Sequence, residues 1–543
     1  MDTSVDKGTS GADTQRSKQG LIALNDLTYV LEPDMSVAVN KTHKRHFFQS
    51  NTYTPEQRGI CILNSGADYI DTRRSFLSFE VALTNGEGHG FFGSCGSACN
   101  LIENILISTR SGDELCRITD FGLLQNMLIP MTYCESWKQT TGQVMRLGGG
   151  LHDPAATIQS SKSGTVTRLL IPMYLMAPLF AYGRLLPAML MSGMRIEITW
   201  ASKDKAMQGH TPASGALKAA PNYTIKNLYF DLASVQLSDS IQRALNEQSA
   251  TNGLEIVYTD YEKTEVNHGN MSTTFHAEVR KSCSRALKAF ARVRCKSSTP
   301  DGLKDSFRAE QGFPVIEYQW QLGSLYFPQQ PIKASAADKP FTAAAETYAH
   351  LLESCDKFHP GSKPPALTFR GNMYSDTSMG QAIEFGRPLA DIPASTTVQK
   401  LGSGGAFANV VGFEDQPEAV KFSNMYADYG AIGSHTMGTT ASRFGGVGSF
   451  AYDQHMIGVT LERSTMFNLA GVPVNNSRVL ALRLKLAAKT SEFKGDGTST
   501  PTVAYTAVDA NARNAAGDIR SLSVYLKYVK LARVFLNNVE VEQ

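Results

Sequence analysis

The sequence predicts an all-β protein built from two β-sandwiches in tandem, and three observations predict it. Apolar and polar residues alternate over short runs. Met194, Ile196, Ile198 and Trp200 are apolar, while Arg195, Glu197 and Thr199 are polar. That is the period of a strand with one face in a core and one face wet. Glycine and proline are plentiful, 45 and 22 in 543 residues, as a many-turned all-β chain requires. The third observation is an internal repeat. Tyr223, Ile225, Phe230, Leu232, Val235 and Leu237 overlay Leu522, Val524, Val529, Leu531, Val534 and Leu536, each pair 299 residues apart. Ile196, Ile198 and Trp200 likewise overlay Leu482, Leu484 and Leu486, 286 residues apart. The first overlay changes phase twice, so matching bulges are expected in both closing strand pairs. A chain this long exceeds one ordinary core, and a repeat implies that its two cores share a topology.

Taken in order, residues 1–20 are polar and read as a mobile arm. Lys7, Arg16 and Lys18 are balanced there by Asp2, Asp6 and Asp13, which does not support a genome-binding tail. The arm and lead-in occupy 1–44, and residues 41–46 (KTHKRH) read as a solvated turn. The first sandwich is expected over 45–240. Leu77, Phe79, Val81 and Leu83 alternate as a strand, and GEGHGFFGSCG is a glycine-rich hairpin turn. Residues 104–109 read as a strand and 111–113 as a turn. Leu115, Ile118, Phe121, Leu124 and Leu128 then read as a helical stripe. A loop with Trp137 and an extended apolar approach over 171–194 follow. Pro172, Pro178, Gly183, Arg184 and Pro187 break that approach, so it does not read as a membrane span. Then come the strand at 194–200, a polar loop at 202–221 and a strand pair over 222–239.

A short helix over about 239–249 carries Ile241, Ala244 and Leu245 on one side and ends at Asn252-Gly253, a C-cap signal. Residues 241–253 therefore read as the linker. The second sandwich is expected over 254–543, opening with a strand at 254–261. In SRALKAFARVRC (284–295), Leu287, Ala289, Ala291 and Val293 face a core and the basic residues are solvated. A strand at 315–325 ends in a turn at 327–331, and a helix covers about 342–353. The order seen at 104–128 thus recurs. Residues 356–450 are rich in Gly, Ser and Pro and read as a long loop insertion at the surface. Strands over 457–461, 479–486 and 522–541 complete the sheets.

Chemistry is mostly excluded. The net charge of +2, from 52 basic and 50 acidic residues, gives no field for gripping nucleic acid. The eight cysteines include no C-x-x-C, and Cys95 and Cys99 lack histidine partners at zinc spacing. They read as free thiols in a reducing compartment. The polar N-terminus lacks the apolar segment of a secretory signal, so the sequons at Asn40 and Asn222 are expected to stay unmodified. Gly-Lys does not occur, which excludes a P-loop, and LGSGGAF at 401–407 is a loose glycine loop. There is no H-E-x-x-H, G-x-S-x-G or H-x-H. No catalytic, cofactor-binding or metal-ligating residue is therefore expected, and no enzyme activity. Trp137, Trp200 and Trp320 read as core. The rival function is a two-domain β-sandwich carbohydrate-binding protein or glycosidase. Its mark would be a cleft with exposed aromatics and two facing carboxylates.

Four stretches carry a resemblance. They are YIDTRRSFLSFEV (69–81), LFAYGRLLPAMLMSGMRIEITW (179–200), SCSRALKAFARV (282–293), and YQWQLGSLYFPQQPI (318–332) with AETYAHLL (345–352) behind it. In order and spacing over about 45–543, the chain resembles the double jelly-roll major capsid proteins of icosahedral double-stranded DNA viruses. The Polinton-like virus and virophage members are most similar. The resemblance implies two eight-stranded jelly rolls with short helices and long loops, no cofactor, and a homotrimer. Three such chains would make a pseudo-hexameric capsomer that tiles the shell of a virion. It also implies a penton protein and minor or cement proteins as partners, with outward loops such as 356–450.

Overall fold

A computed structural model describes residues 38–83, 89–92, 96–147, 157–158, 166–210, 217–218, 222–269, 274–296, 315–333, 344–359, 361–366, 456–462, 471–486, 519–535 and 538–542. The expectations for the arm at 1–20, the loop at 401–407 and the 356–450 insertion beyond its first residues lie outside these.

The first half supplies eight main strands: β1 (Ala38–Phe47), β2 (Arg58–Ile62), β3 (Tyr69–Leu83), β4 (Ile102–Ser108), β5 (Glu114–Thr119), β6 (Thr167–Pro172), β7 (Arg195–Trp200) and β8 (Tyr223–Leu237). They pair antiparallel in two sheets, ordered β1-β8-β3-β6 and β2-β7-β4-β5. The second half supplies β9 (Leu254–Gly269), β10 (Thr274–Val279), β11 (Cys283–Lys296), β12 (Val315–Leu322), β13 (Leu325–Lys333), β14 (Ile457–Thr460), β15 (Leu480–Leu486) and β16 (Ile519–Val534). Their sheets run β9-β16-β11-β14 and β10-β15-β12-β13. Each strand of the first half thus has its counterpart eight strands later, in the same place and with the same neighbours. Helix α1 (Phe121–Thr132) follows β5, and α3 (Ala344–Ser354) follows β13, so the helices repeat too. Between the halves lies α2 (Asp239–Thr251), ended by Gly253 at φ +73. A left-handed residue there suits glycine alone at low cost.

Alternation builds both cores. Leu77, Phe79, Val81 and Leu83 of β3 are buried, as are Ile196, Ile198 and Trp200 of β7. Ile198 sits between Gly59 and Ile105 on the flanking strands. The Trp200 ring lies 5.6 Å from that of Phe79. Trp320, Leu482, Leu484, Val524 and Leu526 line the second core. Trp137 is half-buried and stacks on Tyr133 with centroids 4.0 Å apart.

The structure corrects several sequence expectations. The closing strand pairs are single long strands, β8 and β16, and their bulges do not match. Against β3, β8 shifts register twice: Asn227, at φ 50, and Leu228 together oppose one residue of β3, and opposite Leu232 it is β3 that carries the extra residues, 72–75. In β16 the irregularity falls on its partner, at Leu287 of β11. The inward residues therefore run Tyr223, Ile225, Leu228, Phe230, Leu232 in one half and Leu522, Val524, Leu526, Tyr528 in the other. The constant offset holds only up to the bulge. Leu115 and Ile118 belong to strand β5, not to a helical stripe. Their neighbour Cys116 is buried as well, because this strand is covered on both faces. Residues 41–46 lie in strand β1 rather than a turn. His89–Phe91 is a short strand in a small third sheet. Residues 327–331 continue strand β13, and Trp137 is on a short helix, Glu135–Gln139. The 171–194 approach is not extended: one-turn helices Met173–Met176 and Ala188–Met191 start directly after Pro172 and Pro187. The 202–221 loop holds a helical turn, Lys203–Ala206, and two short strands. Glu197, expected wet, is buried between Arg58 and Arg195. Nor is the basic face of β11 solvated: Lys288, Arg292 and Arg294 are 4%, 1% and 1% exposed.

Candidate functional site: the junction of the two sandwiches

Among the described residues, no group of three or more His, Cys, Asp or Glu could hold a metal ion. The described cysteines Cys61, Cys99, Cys116, Cys134, Cys283 and Cys355 are free. A cavity of about 340 Å³ is lined by Tyr133, Tyr174, Tyr261 and Lys527 among others, with no carboxylate among its described lining residues. A second, of about 510 Å³ beside Leu325 and Phe327, has Glu462 as the one carboxylate among its described lining residues. Among the described residues, neither shows the facing acid pair of a glycosidase. No described helix is long and apolar enough to cross a membrane.

What the fold does build is a buried, charged junction. It explains the dry basic face of β11. The sheet β9-β16-β11-β14 turns its outer face toward β5 and α1 of the first half. Asp120, between β5 and α1, is the centre. It adopts φ 55, and its backbone N–H donates to Asn104 Oδ1 at 3.2 Å. Its carboxylate is 2.7 Å from Lys205 Nζ, from Lys263 Nζ and from Arg294 Nη2. Lys263 and Arg294 come from β9 and β11, so the second half closes on an anion set by the first. Glu103 accepts from Lys205, and Glu265 from Lys263 and Arg294. Three cations thus meet three carboxylates, as burial of charge demands. Tyr525 of β16 donates its hydroxyl to the Asp120 carbonyl at 3.1 Å.

A second set lies beside it. Asp260 and Lys530 pair at 2.8 Å, each 1% exposed. The Cys116 thiol is 3.0 Å from Asp260 Oδ1. Lys530 Nζ and the Tyr258 hydroxyl both donate to the Leu115 carbonyl, at 3.2 and 2.6 Å. Around these polar groups Ile256, Phe290, Ala532 and Val534 continue the first core into the second half. On the same face, Lys288 pairs with Asp356.

The pKa directions follow from this geometry. Burial would raise the Asp120 carboxyl, but Arg294, Lys205 and Lys263 outweigh it and hold it well below its usual range. Burial lowers the Lys263 ammonium despite its pairing. The physical reason is sharing: one carboxylate gains from three cations, while each cation gains only part of one anion and is crowded by the others. Burial first, and Asp260 second, push the Cys116 thiol far above its ordinary value. It is therefore no nucleophile at neutral pH. The junction positions and locks. The sequence signal for it was the run of basic residues in 284–295, but not what covers them.

No protein-family model matches the sequence, and no curated protein matches it either. Solved structures do. A chain in the structure of the Sputnik virophage is similar at TM-score 0.50 and 9% identity, over 95% of this chain and 90% of that one. This chain is a double jelly roll. The major capsid protein of mavirus also aligns with the double jelly roll, at TM-score 0.46 and 9% identity, over 100% of this chain and 96% of that one. So does PBCV-1 Vp54 as fitted into a Sputnik reconstruction, at TM-score 0.48 and 10% identity, over 95% and 100%.

Proposed function

We propose that this double jelly roll is the major capsid protein of an icosahedral virus, acting as a homotrimer whose pseudo-hexameric capsomers tile the shell. The observation that carries the reading is the duplication: one strand order, twice in one chain, locked in a single orientation by buried charge. Three such two-roll blocks place six similar rolls around an axis, and rings of like contacts close a surface. A virus particle is the setting of the similar Sputnik chain. On this reading the protein resides in the virion, binds copies of itself, a penton protein and minor or cement proteins, and catalyses nothing. The 356–450 insertion, which enters between α3 and β14, is displayed outward or clasped by neighbouring chains.

Light scattering on the purified protein across a dilution series tests this. A mass three times the 59.1 kDa of one chain, constant on dilution, is expected, because permanent assemblies bury upward of about 2,000 Å². A single-chain mass at every concentration would overturn the reading.

A further inference from the structure

The cavity of about 340 Å³ lies in the seam between the rolls. Helix α1 and residues 174–182 of the first roll wall one side, and β9 and β16 of the second wall the other. The first-roll side offers apolar side chains, among them Leu124, Leu128 and Ile129 of α1. On the second-roll side, Tyr261 of β9 and Lys527 of β16 stand directly opposite one another in the ladder and both line the cavity. Tyr133, just after α1, adds a third polar group. Thr132 and Ala181 line it too and are exposed, so the cavity opens to solvent.

Lys527 differs from the other cations of the junction. Lys288 pairs with Asp356, Lys263 and Arg294 with Asp120, and Lys530 with Asp260. Lys527 has no ion pair or hydrogen bond among the described residues. Burial lowers its ammonium, and Asp356 and Glu462, acting through space, offset that only in part. A cation held this way is a cost to the fold, and an anion seated in the cavity would relieve it. The Tyr133 and Tyr261 hydroxyls have no partner among the described residues either. Burial raises both phenols, so they stay protonated and can donate.

We propose that this cavity binds a small carboxylate with a compact apolar body, its head on Lys527, Tyr133 and Tyr261 and its body against α1. Three donors suit a carboxylate, which accepts on two oxygens. A neutral ligand would leave the ammonium unpaired, and a cationic one would add a like charge. The volume is at the lower end of the roughly 300–1,000 Å³ of small-molecule sites. It holds about ten water-sized atoms at ~30 Å³ each, which is the size of octanoate. Both rolls touch the ligand, so its binding should also tighten the seam.

Calorimetric titration of the native protein with octanoate, octanol and octylammonium tests the proposal. One octanoate per chain is expected. Octanol should bind about tenfold more weakly or worse, because a charge-assisted hydrogen bond is lost, and octylammonium more weakly still. Octanoate should also raise the melting temperature. Lys527→Met keeps the stem and removes the charge. It should bring octanoate down to the affinity of octanol and leave octanol as it was. Ala181→Trp, at the exposed mouth, should weaken both ligands alike. Three results would each overturn the proposal: no octanoate binding, octanol binding as tightly as octanoate, or binding that neither variant alters. Equal loss of both ligands in Lys527→Met would overturn it as well, by marking Lys527 as structural. If that variant does not fold, the ligand ranking and Ala181→Trp decide the matter. None of these outcomes bears on the number of chains, so the capsid reading stands or falls separately.

Discussion

Two residues carry opposite lessons about burial. Ile198 lies fully buried in β7, and an aspartate there would place an unpaired charge among apolar side chains. Ile198→Asp should destabilise by more than about 4 kcal/mol, seen as a large fall in melting temperature. Unchanged melting would refute the core assignment. Asp120 is the reverse, a charge the fold requires. Removing it leaves Lys205, Lys263 and Arg294 around a vacated anion, and Asp120→Asn should cost about 3–5 kcal/mol. Its folded pKa is depressed below the ordinary 3.8. The stability it contributes is therefore complete above that value and is lost as pH falls toward the folded one. Urea unfolding at stepped pH should show wild-type stability dropping below about pH 4. The Asp120→Asn variant should show a shallower drop. Equal slopes in the two proteins would count against the role assigned to Asp120.

At the scale of elements, the helix behind the second roll is held by close approach. Strand β14 runs under α3, and a Cβ at Gly458 would strike Ser354 and lie 3.1 Å from Leu351 Cδ1. Ser354 cannot easily swing away, because its hydroxyl donates to the Leu351 carbonyl at 2.7 Å. Gly458→Ala should therefore cost about 1–3 kcal/mol by overpacking. Ser354→Gly in the same chain should recover part of the loss, and a double-mutant cycle in thermal unfolding reads the coupling. Additive effects would mean that α3 is not docked there. The neighbouring short strand Val472–Val474 follows the same rule, since a Cβ on Gly471 would come 2.5 Å from the Ala286 carbonyl oxygen.

For the whole molecule, the two rolls form one block because charge and apolar surface are sealed between them. The only described covalent path from one roll to the other is α2, whose Glu247 and Gln248 are exposed. A protease site placed at Glu247–Gln248 and cut after folding should leave the halves associated. Gel filtration at low and high salt reads this, and co-elution is expected at both because buried pairs are little screened. Separation of the halves at low salt would show that the junction does not hold them.

The sequence alone determined the all-β class, the tandem repeat, the core faces of β3 and β7, and the stop at Gly253. Each of these is a local matter of period, turn chemistry or backbone freedom. The resemblance carried by four ordered stretches supplied the jelly-roll topology. Only the tertiary structure decided what covers a strand. Leu115 and Ile118 look helical in spacing because a strand wrapped on both faces, with Cys116 buried as well, loses its alternation. Lys288, Arg292 and Arg294 look solvated because alternation marks the second face of a strand without naming its environment. The same limit hid Asp120, a lone acid in sequence whose three cations come from residues 205, 263 and 294. Periodicity reports how a side chain points. Whether water, a core or another roll meets it depends on contacts between distant parts of the chain.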